Sequence, residues 1–487
     1  MKKVVQVFVA GGLLIFFAGF NPKDKGWEKP FSKLNREIEG NSRAYGTLRQ
    51  ATEKIGHRLT GSANGAKAEE YAFNLLKSYG FTDVAFQPFE VEAWMRDTVT
   101  LSIAPASSDN FREVPVVSLA HSPVKADLKG EIVDVGNGLE EDFEVMKDKV
   151  KGKVALANIG LVGGEGKKNL HRSEKTALAI RYGASGIIMV NGAPGKILLT
   201  GTASVTGEMI NIPAVCISSE SGKELRIWLK EEAPLEAQID MRNISKRIKA
   251  RNVIATLKGK SEETIVLGGH LDSWDLSTGA IDNGIGSFAV MDVARAFRAM
   301  KVKPEKTIQF VLFMGEEQGL LGSKHFVKEL KRTGAIEKMA YMMNLDMTND
   351  PKGANTFGRE EMVPFFKEIG NAVQLVDKNY KNESANRAGL HSDHQPFMLE
   401  GVPIAGLSGQ LAPSVLQCYH ADCDSFDLVN EQELKNTVRI ASMYLYALSH
   451  VAALPVRKLS DEKTKEFLIS QGLKQELVIG QEWRWGK

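Results

Sequence analysis

The sequence predicts an α/β protein: a mostly parallel central sheet flanked by helices, with a β-rich module inserted into it. Three observations lead there. After Arg251, strand-like runs at 252–257, 264–268, 307–313, 339–344 and 402–406 alternate with helix-like runs at 287–300, 323–331 and 434–450. Strands interleaved with helices build a sheet covered on both faces. Between about residues 114 and 244 the texture changes to short β-rich runs separated by Gly, Pro and Lys. The length of 487 residues exceeds the ~100–200 of a usual single domain.

Taken in chain order, Lys2 and Lys3 precede an apolar run over residues 4–20, and polar sequence starts at Asn21. A basic n-region followed by a hydrophobic h-region is the layout of a signal peptide, so a secreted or periplasmic location is expected. Phe16 or Phe17 stands where a small residue is wanted before Ala18 or Gly19. Because ~17–25 apolar residues can span a bilayer, an uncleaved anchor is the alternative. Residues 21–113 read as the first part of the main domain. From Ala68, the residues Tyr71, Ala72, Leu75, Leu76 and Tyr79 recur at helical spacing and Gly80 stops the helix, while 84–94 alternates as a strand. In the insert, 114–244, runs at 114–119, 131–135 and 153–159 read as strands. One helix around 175–182 leads through Gly183 into a strand at 186–190. The main domain resumes at 245–455, and 456–487 form a C-terminal tail.

Composition narrows the function. With 62 basic and 60 acidic residues the net charge is +2, which gives no electrostatic case for a nucleic-acid partner. Apolar content of 43% and charged content of 25% match an ordinary soluble globular protein. Three cysteines cannot form a disulfide framework. Cys418 and Cys423 could close a small loop in an oxidising compartment, and Cys216, inside the apolar run 212–217, reads as a buried free thiol.

The chemistry gathers at strand ends. The run 264–268 passes directly into His270-Leu271-Asp272-Ser273-Trp274-Asp275, and Asp282 follows in Gly279-Ala280-Ile281-Asp282-Asn283-Gly284. The next strand leads to Gly315-Glu316-Glu317-Gln318-Gly319 and the one after to Asn344-Leu345-Asp346; a later loop carries Tyr419-His420, then Asp424 and Asp427. In an open α/β sheet, ligands bind beyond the carboxyl ends of the strands. A crowd of carboxylates there would repel itself, and divalent cations remove that repulsion; mixed imidazole and carboxylate donors suit zinc. A lone strand-end acid is ordinarily a helix cap or a solvated charge, and 279–286 alone could be a turn feeding a helix. The coincidence of four segments at one sheet edge outweighs that reading. His391-Ser392-Asp393-His394 could also supply ligands but reads as surface or supporting sequence, and His57 and His325 read as structural.

His270-Leu271-Asp272, Asp282-Asn283-Gly284, Glu316-Glu317, Asp346 and Tyr419-His420 together resemble the motif set of the co-catalytic zinc exopeptidases. This family, of phosphorylase/hydrolase-like fold, includes bacterial leucyl aminopeptidase, aminopeptidase Y, glutamate carboxypeptidase and carboxypeptidase Q. The resemblance spans about 47–453, and 270–275 is most similar to carboxypeptidase Q. The insert resembles the protease-associated domain of many members. The resemblance implies two Zn²⁺ ions bridged by Asp282, one completed by His270 and Asp346, the other by Glu317 and His420. It implies that Asp272 orients His270 and that Tyr419 donates to a developing oxyanion. It also implies a cis peptide bond after Asp282. A water bridging two zinc ions is a usable hydroxide near neutral pH. Glu316, expected to point away from Glu317 by strand alternation, is the general base for that water.

The expected function is thus a zinc metallo-exopeptidase acting on short peptides or dipeptides, with the insert near the mouth of the site restricting access. A homodimer is left open. A glutaminyl-cyclase-like acyl transferase would not be expected to carry the insert, and a transferrin-receptor-like binding protein would lack an intact metal site. A binding protein with purely structural metals has no use for a free Glu316. No His-Glu-x-x-His helix and no Gly-x-Ser-x-Gly elbow is present. Sequence alone leaves open which peptide end is trimmed; Asp393, Arg387 and Arg359 are candidates for holding a terminal amine or carboxylate.

Overall fold

A computed structural model describes residues 26–232 and 234–486; the expected leader, 1–20, lies outside them. The main sheet runs, from one edge, Glu383–Ala385, Gly353–Asn355, Ile404–Ser408, Met339–Asn344, Ser261–His270, Lys306–Phe313 and Leu235–Leu257. Its four central strands, Ile404–Ser408 to Lys306–Phe313, are parallel. Gly353–Asn355 and Leu235–Leu257 join antiparallel, so the sheet is mixed and parallel at its heart.

Strand alternation sorts the apolar residues onto two faces. Ile265 and Leu267 enter one core with Ile308, Phe310 and Leu312, under the helices Ile285–Ala299 and Glu431–His450. Val266, Val311 and Met342 enter the opposite core with Phe326 and Phe397. Each buried Val, Leu, Ile or Phe contributes roughly 1.5–3 kcal/mol. Two-sided burial explains why the central strands read as continuous apolar runs.

The insert is joined by strands rather than by linkers. Val84–Pro105 pairs with Leu235–Leu257 from Val84↔Ala255 to Pro105↔Leu235, with an irregularity between Arg96 and Thr98. One half of Leu235–Leu257 pairs with Lys306–Phe313 of the main sheet and the other with Lys125–Asp134 of the insert. Lys125–Asp134, Val154–Asn158, Gly186–Val190 and Ala214–Ile217 then run parallel. Two expectations need correction here. Of the run 114–119 only Val117–Ser118 is a strand, because Pro115 has no N–H to give to a ladder. The insert also holds three helices, not one: Glu140–Val150, Arg172–Arg181 and Ser219–Glu232. Glu140–Val150 buries only Phe143 and Val150, so it has almost no apolar periodicity to read.

The C-terminal segment is built, not loose. Helices Asp461–Ser470 and Lys474–Ile479 pack Leu468 and Leu477, with Leu473 between them, into the core with Phe326 and Phe397. Among the described residues no helix is long and apolar enough to cross a membrane.

Candidate metal centre

The structure brings all five expected ligands together at the carboxyl edge of the parallel strands. His270 is the last residue of Ser261–His270, and Asp346 lies two residues past Met339–Asn344. Asp282 sits in the turn before Ile285–Ala299, followed by a cis peptide bond to Asn283. Glu316 and Glu317 lie in a turn beyond Phe313. Strand alternation therefore does not separate their side chains; the turn does. His420 belongs to a loop and has φ 56°, a left-handed conformation unusual for a residue with a Cβ.

His270 Nε2 lies 3.2 Å from Asp282 Oδ1 and 3.4 Å from Asp346 Oδ1. His420 Nε2 lies 3.0 Å from Asp282 Oδ2 and 3.0 Å from Glu317 Oε2. Two three-residue donor sets thus share Asp282, one carboxylate oxygen facing each, and within each set the donor atoms lie within 4.8 Å of one another. Glu316 belongs to neither set; its Oε2 is 4.0 Å from His270 Nε2. Tyr419 stacks on His420 with ring centroids 3.8 Å apart.

Buried partners fix the donors. Asp424 accepts from the backbone N–H of Ile281 at 2.7 Å and of Asp282 at 3.0 Å. Ser392 donates to Asp346 Oδ2 at 2.6 Å and accepts from Asn344 Nδ2 at 2.7 Å. Asp272 stands beside His270 through both its main chain and its side chain. The oxygen nearest His270 Nδ1 is the main-chain carbonyl of Asp272, at 3.1 Å, with the carboxylate at 3.6 Å. That carboxylate accepts from Thr60 Oγ1 at 3.0 Å and from the Glu316 N–H at 3.3 Å, so it also ties down the turn carrying Glu316. Arg58, fully buried, donates to the carbonyls of Leu271, Thr278 and Gly279 at 2.6, 2.7 and 2.8 Å and braces the loop between His270 and Asp282.

Electrostatics reflect the crowding. Burial raises the pKa of Glu316 well above the ordinary carboxylate range; Asp346, Glu317 and Asp393 raise it further, against the pull of His270. Burial also favours the neutral form of His270, but the carboxylates of Glu316, Asp346, Asp272 and Asp282 around it outweigh that and raise its pKa. Burial alone would raise Asp282, yet the hydrogen bonds from His270 and His420 hold it below its usual range. A divalent cation would take over the role those shared protons play.

The site opens into a cavity of about 270 Å³, walled on one side by insert residues His171, Arg172 and Glu174 and on another by Glu476 and Leu477 of the C-terminal segment. Arg172, buried, places Nη2 2.9 Å from His420 Nδ1. It lies flat on Gly201, where a Cβ would stand 1.9 Å from Arg172 Nε. None of the three residues proposed for peptide-end recognition lines this cavity. Arg359 is spent on Glu361 and the Arg457 carbonyl, Arg387 is exposed, and Asp393 is fully buried, its pKa pushed up to about 7 chiefly by burial. His391 lines the cavity, 3.4 Å from Glu174 Oε1, whereas His394 turns to the Gly389 carbonyl at 3.0 Å. His325 stacks on Phe89.

Comparison with known proteins agrees with this geometry. Residues 252–445 match the profile of Peptidase family M28 and residues 117–225 that of the PA domain. Aminopeptidase YwaD of Bacillus subtilis (strain 168) is 26% identical over 464 residues, covering 92% of this chain and 94% of that protein. Carboxypeptidase Q of Xenopus laevis is 23% identical over 372 residues, covering 75% of this chain and 77% of its own length. A solved Peptidase M28 precursor from Shewanella amazonensis shares the fold, with a TM-score of 0.73 at 24% identity, covering 89% of this chain and 98% of that one. The M28 match contains the ends of all four central strands and the PA match falls within the insert, so the chain is a metallopeptidase whose parallel-sheet region matches Peptidase family M28 and whose insert matches the PA domain.

Proposed function

We propose that this metallo-exopeptidase holds two zinc ions and removes single residues from short peptides, dipeptides among them, outside the cytoplasm. The observation that carries the reading is the pair of donor sets meeting at Asp282 with Glu316 left free beside them. The residues fit the metal: Glu317 Oε1 is buried with no hydrogen-bond partner, and two imidazoles with three carboxylates are a zinc-type donor set. When bound, the ions supply Lewis acidity, which acidifies water and polarises a carbonyl. His270, Asp346 and Asp282 would hold one, Glu317, His420 and Asp282 the other. Glu316 takes the proton from the attacking water and returns it to the leaving amine. Tyr419, beside His420, donates to the oxygen on which charge develops.

Three features support short substrates. The cavity of about 270 Å³ lies below the ~300–1,000 Å³ of ordinary ligand pockets. Insert and C-terminal segment wall it on two sides. Both ends of a short peptide find partners: Arg172, in no carboxylate ion pair among the described residues, faces a terminal carboxylate, and Glu174 faces an ammonium. Residues 1–20 support export, as does the disulfide between Cys418 and Cys423, which belongs to oxidising compartments. A panel of free, N-acetylated and C-amidated dipeptides tests this with the zinc-loaded protein. Free dipeptides are expected to turn over fastest, and turnover should stop with a chelator. Equal cleavage of long, doubly blocked peptides would overturn the exopeptidase reading.

A further inference from the structure

The loop carrying His420 has little secondary structure to hold it. Between helix Pro413–Leu416 and Phe426 it is a series of turns, with one isolated bridge from Ala421 to Leu199 and a bond from the Thr200 N–H to the His420 carbonyl at 3.0 Å. His420 nevertheless holds a left-handed backbone, unfavourable for a residue with a Cβ. What closes the loop covalently is the disulfide Cys418–Cys423, which brackets Tyr419 and His420. Asp424 follows directly, and its carboxylate holds the N–H groups of Ile281 and Asp282. One six-residue ring therefore governs His420 directly and Asp282 through Asp424.

We propose that the Cys418–Cys423 disulfide is a positioning element of the metal centre, so that its reduction loosens the centre's hold on the ion at His420. The inference rests on the two-zinc reading above. Cys418 is buried and Cys423 partly accessible, so the attack of a dithiol falls on the Cys423 sulfur. One thiolate of the dithiol bonds to that sulfur, the S–S bond breaks and Cys418 leaves as a thiol. The second thiol of the reductant then displaces Cys423, so two electrons and two protons pass to the protein and the reductant leaves as a disulfide. The freed loop keeps its contacts to Leu199 and Thr200 but loses the closure that fixes the spacing of His420 and Asp424.

The test measures zinc per chain and zinc affinity by competition with a chromophoric chelator. Oxidised protein, protein reduced with a phosphine, and Cys418→Ser/Cys423→Ser are compared, with far-UV circular dichroism on each. The oxidised protein is expected to hold two ions. The reduced protein and the double variant should keep their spectrum yet bind one ion at least ~10-fold more weakly, the usual effect of losing a ligand's support. Reoxidation should restore the wild type and not the variant. Unchanged stoichiometry and affinity after reduction would overturn the proposal; so would collapse of the spectrum, which would assign the disulfide to the fold at large. If the double variant does not fold, reduction of the folded wild type decides. Failure of the oxidised protein itself to bind two ions would instead bring down the two-zinc reading and the inference with it.

Discussion

Glu316 and Glu317 adjoin in the chain but are given different work in the proposed mechanism. Glu317 Oε2 faces His420 at 3.0 Å, while Glu316 joins neither donor set and lines the cavity. Gln is nearly isosteric with Glu but takes no proton at neutral pH, and general-base catalysis is typically worth ~10²–10⁴-fold. Glu316→Gln is expected to lose about that much dipeptide turnover with its zinc content unchanged. Glu317→Gln should lose zinc first, because an amide oxygen is a poorer zinc ligand. Zinc content and turnover on both variants check this; near-normal turnover of a zinc-replete Glu316→Gln would mean the base lies elsewhere. At this scale the sequence shows donors and hides supports. His270 and Asp346 are legible because strand ends announce them. Arg58 is not, because the carbonyl it braces, Leu271, is 213 positions away. Separations of 46 and 44 positions likewise hide the Ser392 hydroxyl on Asp346 and the carboxylate of Asp272 on the Glu316 turn.

The helix Arg172–Arg181 shows how an element's boundary can conceal its function. Apolar spacing places the helix at about 175–182, but it starts three residues earlier. His171, not a usual N-cap residue, caps it, with Glu174 accepting the His171 N–H at 2.8 Å. That first turn carries Arg172 into the cavity, so the misplaced start hides a cavity residue. One turn on, Lys175 is fully buried and donates to the carbonyls of Asn158 and Ile159 at 2.8 and 2.9 Å, binding the helix to the strand Val154–Asn158. Burial lowers its pKa to about 8. Between pH 8 and the ordinary lysine value near 10.5 the unfolded chain binds a proton that the folded one does not. Stability should therefore rise across that window, by up to about 3 kcal/mol, and fall away as pH drops through 8. The difference in denaturant midpoint between wild type and Lys175→Met should grow as pH is raised from 8 to 10. A flat difference would contradict the assignment.

At the scale of the molecule, three stretches remote in sequence enclose one cavity: the ends of the parallel strands, the insert and the C-terminal segment. The alternation of strands and helices after Arg251 made the first legible, and the change of texture near 114 made the second. The third was not, because Leu468, Leu473 and Leu477 are thinly spaced among charged residues and their partners Phe326 and Phe397 lie far upstream. Likewise, no sequence signal shows that Val84–Pro105 and Leu235–Leu257 run unbroken from one domain into the other. The enclosure accounts for short substrates only if the metals sit where the donors converge. Anomalous diffraction from zinc-loaded crystals, recorded on both sides of the zinc edge, tests that most directly. Two peaks ~3.5–4 Å apart on either side of the Asp282 carboxylate are expected, one bonded to His270 and Asp346, the other to Glu317 and His420. A single peak at Asp282, or peaks at the mouth cluster of Glu174, His391 and Glu476 with none at Asp282, would contradict the account.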